Sequence, residues 1–393
     1  MYALADQSVT HQSNATFEVL FLFGLEVVFF LCMFWLLTSP FFLFSPRHQR
    51  RLMVANSVEM LAALAAVVMI GVAVGESSQL EQMATFVASF DCPDPSWVTN
   101  ASSVCSWSGV SCDTASNVIA FEFPSKLCGG TINMSSLPAT IGVLDLSSNT
   151  LTGGVDLTAL PSNHTVLRLS SNRLEGTPSL TSLPRSLSTL LLNSNAFGGE
   201  PNLKMLPPHL LSLNLADNLF SGTVLEGLTT LPSMLVSLTL ANNLFSGTLN
   251  GTVFPAHLKN LEISWTYFTG NVPLSSLPNA LVSLAAHRTK FSGPIDLTHL
   301  PSTLQYLDLH KTDISGTVDF TKLPSSLTSL VLDETAISGS FDLSKLPVSL
   351  SNLYLWTTKL CGVTTVSTGC SAVLLPFQCA CTGSGSVDCG ACA

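Results

Sequence analysis

Charge is scarce in this chain. Only 10% of its 393 residues are Asp, Glu, Lys or Arg, and 15 Lys and Arg stand against 25 Asp and Glu for a formal charge of −10. A surface so poor in cations cannot neutralise a phosphate backbone, so nucleic acid is excluded as a natural partner. Catalytic signatures are missing as well. There is no Gly-rich phosphate loop with its Lys, no helical His pair of a zinc protease and no Gly-x-Ser-x-Gly elbow, and the eight His are scattered. The expectation is therefore a protein that is not an enzyme and that needs neither metal nor cofactor. Cysteine is absent from the whole stretch between Cys128 and Cys361.

What the chain has instead is apolar surface: 47% of residues are hydrophobic, and the mean hydropathy is +0.45. Part of it belongs to a membrane or began there. Val19 to Leu37 is almost wholly apolar, and Met60 to Val74 is a second apolar run. Arg47, Arg50 and Arg51 lie between them and mark the cytoplasmic side, so if both runs span, everything after Gly75 faces outward. The second run is also of signal-peptide length, and Ala73-Val74-Gly75 offers small residues for cleavage. In that reading Met33 or Met53 is the start, and Glu26, costly at membrane depth, favours it. Both readings export residues 76–393, tethered at the cell surface or secreted. Ten of the eleven Cys follow Gly75 in two clusters: Cys92, Cys105, Cys112 and Cys128, then Cys361, Cys370, Cys379, Cys381, Cys389 and Cys392. Even numbers suit disulfide-stapled caps in an oxidising compartment. Glycosylation sequons begin at Asn100, Asn133, Asn163 and Asn250, with Asn14 in the leader.

Between the Cys clusters the chain keeps a beat. A Leu-Pro or Phe-Pro pair ends at Pro138, Pro161, Pro184, Pro207, Pro232, Pro255, Pro278, Pro301, Pro324 and Pro347, at intervals of 23 residues with one of 25. The unit reads Leu-x-x-Leu-x-Leu-x-x-(Asn/Thr)-x-(Leu/Phe/Ile)-x-Gly and is identified as a leucine-rich repeat. Pairs such as Leu144 with Leu146, or Leu307 with Leu309, alternate inward on short strands that stack in parallel. Asn149, Asn172, Asn195, Asn218 and Asn243, then Thr266, Thr289, Thr312, Thr335 and Thr358, follow the strand, where a side chain must bond the backbone groups the turn leaves unpaired. Phe197, Phe220, Phe245, Phe268 and Phe291 share one position and form an aromatic spine in the core. Glycines from Gly153 to Gly362 hold the next turn, where positive φ or close backbone approach is needed.

The predicted fold is an α/β leucine-rich-repeat solenoid: a curved right-handed coil with a parallel sheet on its concave face, mostly β and loop, disulfide-capped, with one or two N-terminal membrane helices. The expected divisions are a membrane leader at 1–75, an N-terminal Cys cap at 76–130, about ten repeats over 131–360 and a C-terminal Cys-rich cap at 361–393. The segment Cys105-Ser-Trp-Ser-Gly-Val-Ser-Cys112, preceded by Trp97, resembles the N-terminal cap of plant-type leucine-rich-repeat receptors, and the resemblance implies a Cys105 to Cys112 disulfide. The Leu-Pro-x-x-Leu punctuation and the Asn to Thr switch, as in Leu309-His-Lys-Thr312-Asp-Ile-Ser-Gly-Thr-Val318, are similar to the promastigote surface antigen type of kinetoplastid protists over about residues 80–362. That likeness implies an adhesive or antigenic cell-surface role, although Ala393 follows Cys392 without the hydrophobic tail of a lipid anchor.

Three features invite chemistry. Cys389-Gly-Ala-Cys392 beside Cys379-Ala-Cys381 has zinc or redox spacing, but outside the cell a disulfide cap is the reading. Asp156, Asp296, Asp319 and Asp342 share one convex position, where such carboxylates either share a cation or accept backbone N–H bonds. The positions facing outward from the concave strands are bland in the first five repeats, with Ser212, Ser237 and Thr239 typical. From the sixth they change: Glu262, Trp265, His287, Arg288, Tyr306, Asp308, His310, Lys311, Asp333, Glu334, Tyr354 and Trp356. Exposed aromatics and Arg among mixed charges are the material of binding hot spots. The sequons would leave this face free of glycan. The expected function is recognition of an extracellular protein or glycan through the concave face, with an antigenic or structural coat as the alternative.

Overall fold

The computed structural model describes residues 79–365 except 93, 95, 98–102, 224 and 250–253, and adds two strand segments, Val373–Leu374 and Ser386–Asp388. The expected membrane runs, Asn100, Asn250 and the cysteines from Cys370 onward lie outside the described residues. Among the described residues no helix is long and apolar enough to cross a membrane.

The described residues build a β-solenoid. Each Leu-x-Leu segment contributes a three-residue strand, from Val143–Asp145 to Asn352–Tyr354, to a 13-stranded sheet. The coils pair in parallel with a constant register, Val143 on Val166 and Leu284 on Leu307 for instance, so a residue's counterpart 23 positions on is its lateral neighbour. The central Leu of each strand points into the core and is essentially sealed from water, as Leu144, Leu190, Leu238 and Leu307 show. A second, 11-stranded sheet runs along another side of the coils, from Thr152–Gly153 to Lys359–Thr365, with Ser386–Asp388 closing its edge antiparallel. The sequence pattern had not announced this sheet. Its strands run across Ser-Gly-Thr segments whose alternation is weak, and glycines from Gly153 to Gly339 in it hold φ between +78° and +113°.

Two ladders lock the coils together. Asn218 donates from Nδ2 to the carbonyls of Leu192, Leu215 and Ala216 at 3.0 to 3.1 Å, and its Oδ1 accepts the Phe197 N–H at 3.0 Å. Thr312, at the same position four coils on, makes a single bond from its hydroxyl to the Leu309 carbonyl at 2.7 Å. The phenylalanine spine is buried and stacked, with Phe197 to Phe220 and Phe220 to Phe245 at 6.2 and 6.3 Å between ring centres. Where the Pro interval is 25 residues instead of 23, the extra length forms one α-helical turn, Leu225–Leu228, in place of the 3-10 turns found elsewhere, such as Leu157–Ala159.

The N-terminal end is covered by a helix over 79–87 and by the antiparallel strands Val110–Cys112 and Val118–Glu122. Phe86, Phe90, Trp97, Phe121 and Phe123 pack edge to face and face to face there, and the indole N–H of Trp97 donates to the Ser108 carbonyl at 3.1 Å. Cys105 is bonded to Cys112, and Cys92 to Cys128, a pairing the sequence had left open. Gly130 passes so close to the Ser89 carbonyl that a Cβ at that position would collide with it, and its φ is +93°.

Candidate ligand-binding face

The face in question is the outward side of the strand sheet in the sixth to tenth coils. The strand ends in a tight turn in which the residue before the repeated Asn or Thr is left-handed: Ser148, Asp217, Asn242, Trp265, Arg288, Lys311, Glu334 and Thr357 all have φ between +51° and +58°. A left-handed Trp is uncommon, since a bulky side chain there is strained. The turn lifts Trp265 off the sheet with 51% of its surface exposed, and Arg288 stacks on the ring with its guanidinium carbon 4.3 Å from the ring centre. Lys311 and Glu334 continue the same row and pair at 3.1 Å.

The expected site residues do not form one uniform exposed patch. Trp265 and Trp356 are exposed, and His287, Arg288, Tyr306, His310, Lys311, Glu334 and Tyr354 are half-buried. Asp308 and Asp333 are a correction: each is only 4% exposed, so neither is a displayed surface charge. Short carboxylates between rows of longer side chains are covered by them. Asp308 is enclosed by its own partners, accepting from the Tyr306 hydroxyl at 2.9 Å and from the His310 backbone N–H at 3.1 Å. A ring nitrogen of His310 lies 2.8 Å from one of its oxygens, and one of His287 lies 3.3 Å from the other. The two imidazoles stack at 4.4 Å with planes 13° apart, and the Ser264 hydroxyl sits 3.0 Å from His287 Nδ1.

Electrostatics follow from this packing. Burial alone would push the Asp308 carboxyl up, but the bonds from His287 and His310 outweigh it and hold the group at about 2. Burial, with the neighbouring Asp308 charge, raises the Tyr306 hydroxyl well above the usual phenol range. Burial also raises Asp333, against a lowering effect of His310.

Beside Trp265 the face sinks into a hollow of about 430 Å³ lined by Asn193, Asn214, Asp217, Asn242, Glu262 and His287, with Ala216, Thr239 and Ala241 on its floor. Several of these residues belong to coils whose outward positions read as bland. Their signal lay in alignment across coils, because side-chain amides and carboxylates of successive strands converge only when stacked at the 23-residue register. The convex Asp row resolves as turn chemistry. Asp156, Asp296, Asp319 and Asp342 accept the backbone N–H of Thr158, Thr298, Thr321 and Ser344 at 2.8 to 3.0 Å. The hydroxyls of the same Thr and Ser residues first, and then these N–H bonds, lower all four carboxyls, and Asp296, which also bonds His299, lies at about 2. Asn133 is exposed outside the strand sheet, and Asn163 precedes the strand Val166–Arg168, its Nδ2 donating to the Thr140 carbonyl at 3.0 Å.

Known structures share this architecture. The Arabidopsis receptor kinase HAESA, in complex with the peptide hormone IDA and the co-receptor SERK1, is 26% identical with a TM-score of 0.54, over 72% of this chain and 54% of that one. The fold is that of a leucine-rich-repeat ectodomain. The PEPR1-AtPEP1 complex matches at 22% identity and a TM-score of 0.51, over 72% and 52% of the two chains. A plant ice-binding protein matches at 22% and 0.57, over 72% and 95%. The chain spans about half the length of the two receptor chains. A family model described as leucine rich repeat N-terminal domain covers residues 76–113, the segment holding the Cys105 to Cys112 bridge. No curated protein matches the chain by sequence. The leucine-rich-repeat likeness shown by these matches is to plant ectodomains; the kinetoplastid likeness is not among what they show.

Proposed function

We propose that this leucine-rich-repeat protein acts outside the cell or at its surface as a non-enzymatic recognition module that binds an extended peptide or protein segment along the strand face, centred on Trp265. The observation that carries this reading is the half-exposed Trp265, held off the sheet by a left-handed turn at the rim of the polar hollow. The repeat imposes that turn at this position in every coil from Ser148 to Thr357, and at 265 it displays a large aromatic side chain, the kind of residue that anchors an interface. Amides such as Asn193, Asn214 and Asn242 offer both donors and acceptors, which an extended peptide backbone requires, and Asp217 with Glu262 favours a cationic group on the segment. The receptor HAESA, which shares the fold, is found in complex with a peptide hormone, which supports the class of partner.

The test is selection of a random peptide display library on the immobilised chain. Enriched peptides should lose about 30-fold in affinity on Trp265→Ala, the equivalent of ~2 kcal/mol for an anchor, and remain unaffected by Ser237→Ala. Enrichment that is equal on Trp265→Ala removes Trp265 from the site. A face that enriches no peptide, on a densely glycosylated chain, supports the coat reading instead, and enrichment on a glycan array in place of peptides transfers the site to sugars.

A further inference from the structure

Constant register makes rows as well as strands. Pairing of Glu262 with Ala285, Ala285 with Asp308 and Asp308 with Val331 sets the residues two positions on side by side: Ser264, His287, His310 and Asp333. Asp308 projects to the same face from the strand before His310, since residues two apart on a strand share a side. Two imidazoles and two carboxylates from three coils therefore converge.

We propose that His287, Asp308 and His310 bind a divalent transition-metal ion, with Asp333 as the adjoining negative charge. One ligand atom from each of the three lies within 4.8 Å of the others. Zinc bonds of about 2.0–2.1 Å place the ligand atoms of a tetrahedron about 3.3 Å apart. His310 and His287 stand 2.8 and 3.3 Å from the two different oxygens of Asp308, near that spacing, so the carboxyl faces both rings at once. The ring-to-ring edge closes when the stacked rings tilt toward each other. Imidazole nitrogen beside carboxylate suits zinc and its first-row neighbours and not magnesium or calcium, which take all-oxygen shells. Both rings keep 20% of their side-chain surface exposed, which leaves a path for the ion and an open coordination position for water.

Asp333 adds a second carboxylate beside the three ligands. The residue is only 4% exposed, and its carboxyl lies close enough to His310 for that ring to act on it. Together the two carboxylates neutralise a divalent ion, and His287 also lines the hollow, so the ion would stand at the edge of the ligand face.

Binding is tested on the full chain, stripped with EDTA, by calorimetric titration with ZnCl2, by thermal melts with and without zinc, and by the visible spectrum with CoCl2. The parent is expected to show a saturable zinc site, a zinc-dependent rise in Tm and a tetrahedral cobalt band. The double variant His287→Gln/His310→Gln keeps hydrogen-bonding groups beside Asp308 and should lose all three while melting as the parent does in EDTA; His310→Gln alone serves if the double variant fails to fold. Changing the exposed His209 and His257 to Ala should alter none of them. The proposal is overturned if zinc neither binds saturably nor raises Tm, which leaves a hydrogen-bonded cluster only. It is overturned equally if the cobalt band survives in the glutamine variants, which places the ion on other groups.

Discussion

His164 occupies a core position that every other coil gives to an aliphatic residue, from Ile141 and Leu187 to Leu327 and Leu350. One ring nitrogen bonds the Ile141 carbonyl at 3.2 Å, and Nε2 is buried without a partner. An unsatisfied buried polar atom costs about 1–3 kcal/mol, so His164→Leu should stabilise the protein by roughly 1–2 kcal/mol in urea unfolding. The gap should also depend on pH. Burial holds the imidazole below its ordinary value near 6.5, so below that pH the unfolded chain binds a proton the folded one refuses. The contribution of neutral His164 is complete above about 6.5 and is lost as pH falls toward its folded value, so the advantage of the Leu variant should widen between pH 7 and 5; a constant gap would show that the ring is not desolvated. Read singly, His164 is one of eight scattered histidines, and only its place in the repeat makes it anomalous. The same holds for His287 and His310: each is an outward residue by itself, and the 23-residue register makes them a stacked pair.

At the level of the element, the consensus Leu positions were legible because inward Leu at period two has one physical meaning, a strand with a buried side. The left-handed row was not, since residues as different as Ser148, Asp217, Trp265 and Lys311 occupy it and none advertises positive φ. Nor was the second sheet, whose strands are set by pairing between coils more than by their own pattern. The Asn to Thr switch was legible and carries a measurable difference. Removing the side chain of Asn218 strips the three bonds its Nδ2 donates to carbonyls and leaves the buried Phe197 N–H unpaired, whereas Thr312→Val removes one bond with its shape kept. Asn218→Ala should therefore cost roughly 2–4 kcal/mol and Thr312→Val about 1 kcal/mol in denaturant unfolding. Equal costs would mean that the Asn ladder contributes shape and not hydrogen bonding.

On the scale of the whole molecule, the repeat architecture and its capped N-terminal end follow from the spacing of Leu, Pro and Cys, while the partner does not, because a solenoid fixes a surface and leaves its ligand to the side chains it displays. Each coil contacts only its neighbours, so the first coil depends on the cap that seals it with Phe121 and Phe123. Two disulfides hold that cap, and they close loops of different length: Cys92 and Cys128 are 36 positions apart, Cys105 and Cys112 only 7. Constraining the unfolded chain is worth more for the longer loop, about 4 kcal/mol on the loop-entropy relation. Replacing Cys92 and Cys128 together by Ser should thus lower stability roughly one and a half times as much as replacing Cys105 and Cys112. The damage should also be graded along the coil: amide hydrogen exchange ought to quicken first in the strands Val143–Asp145 and Val166–Arg168 and last in Tyr306–Asp308, as expected where coupling passes from neighbour to neighbour. If both pairs of substitutions cost the same, native contacts inside the cap outweigh loop closure; if exchange quickens uniformly, the solenoid unfolds as one unit and the end cap stabilises every coil alike.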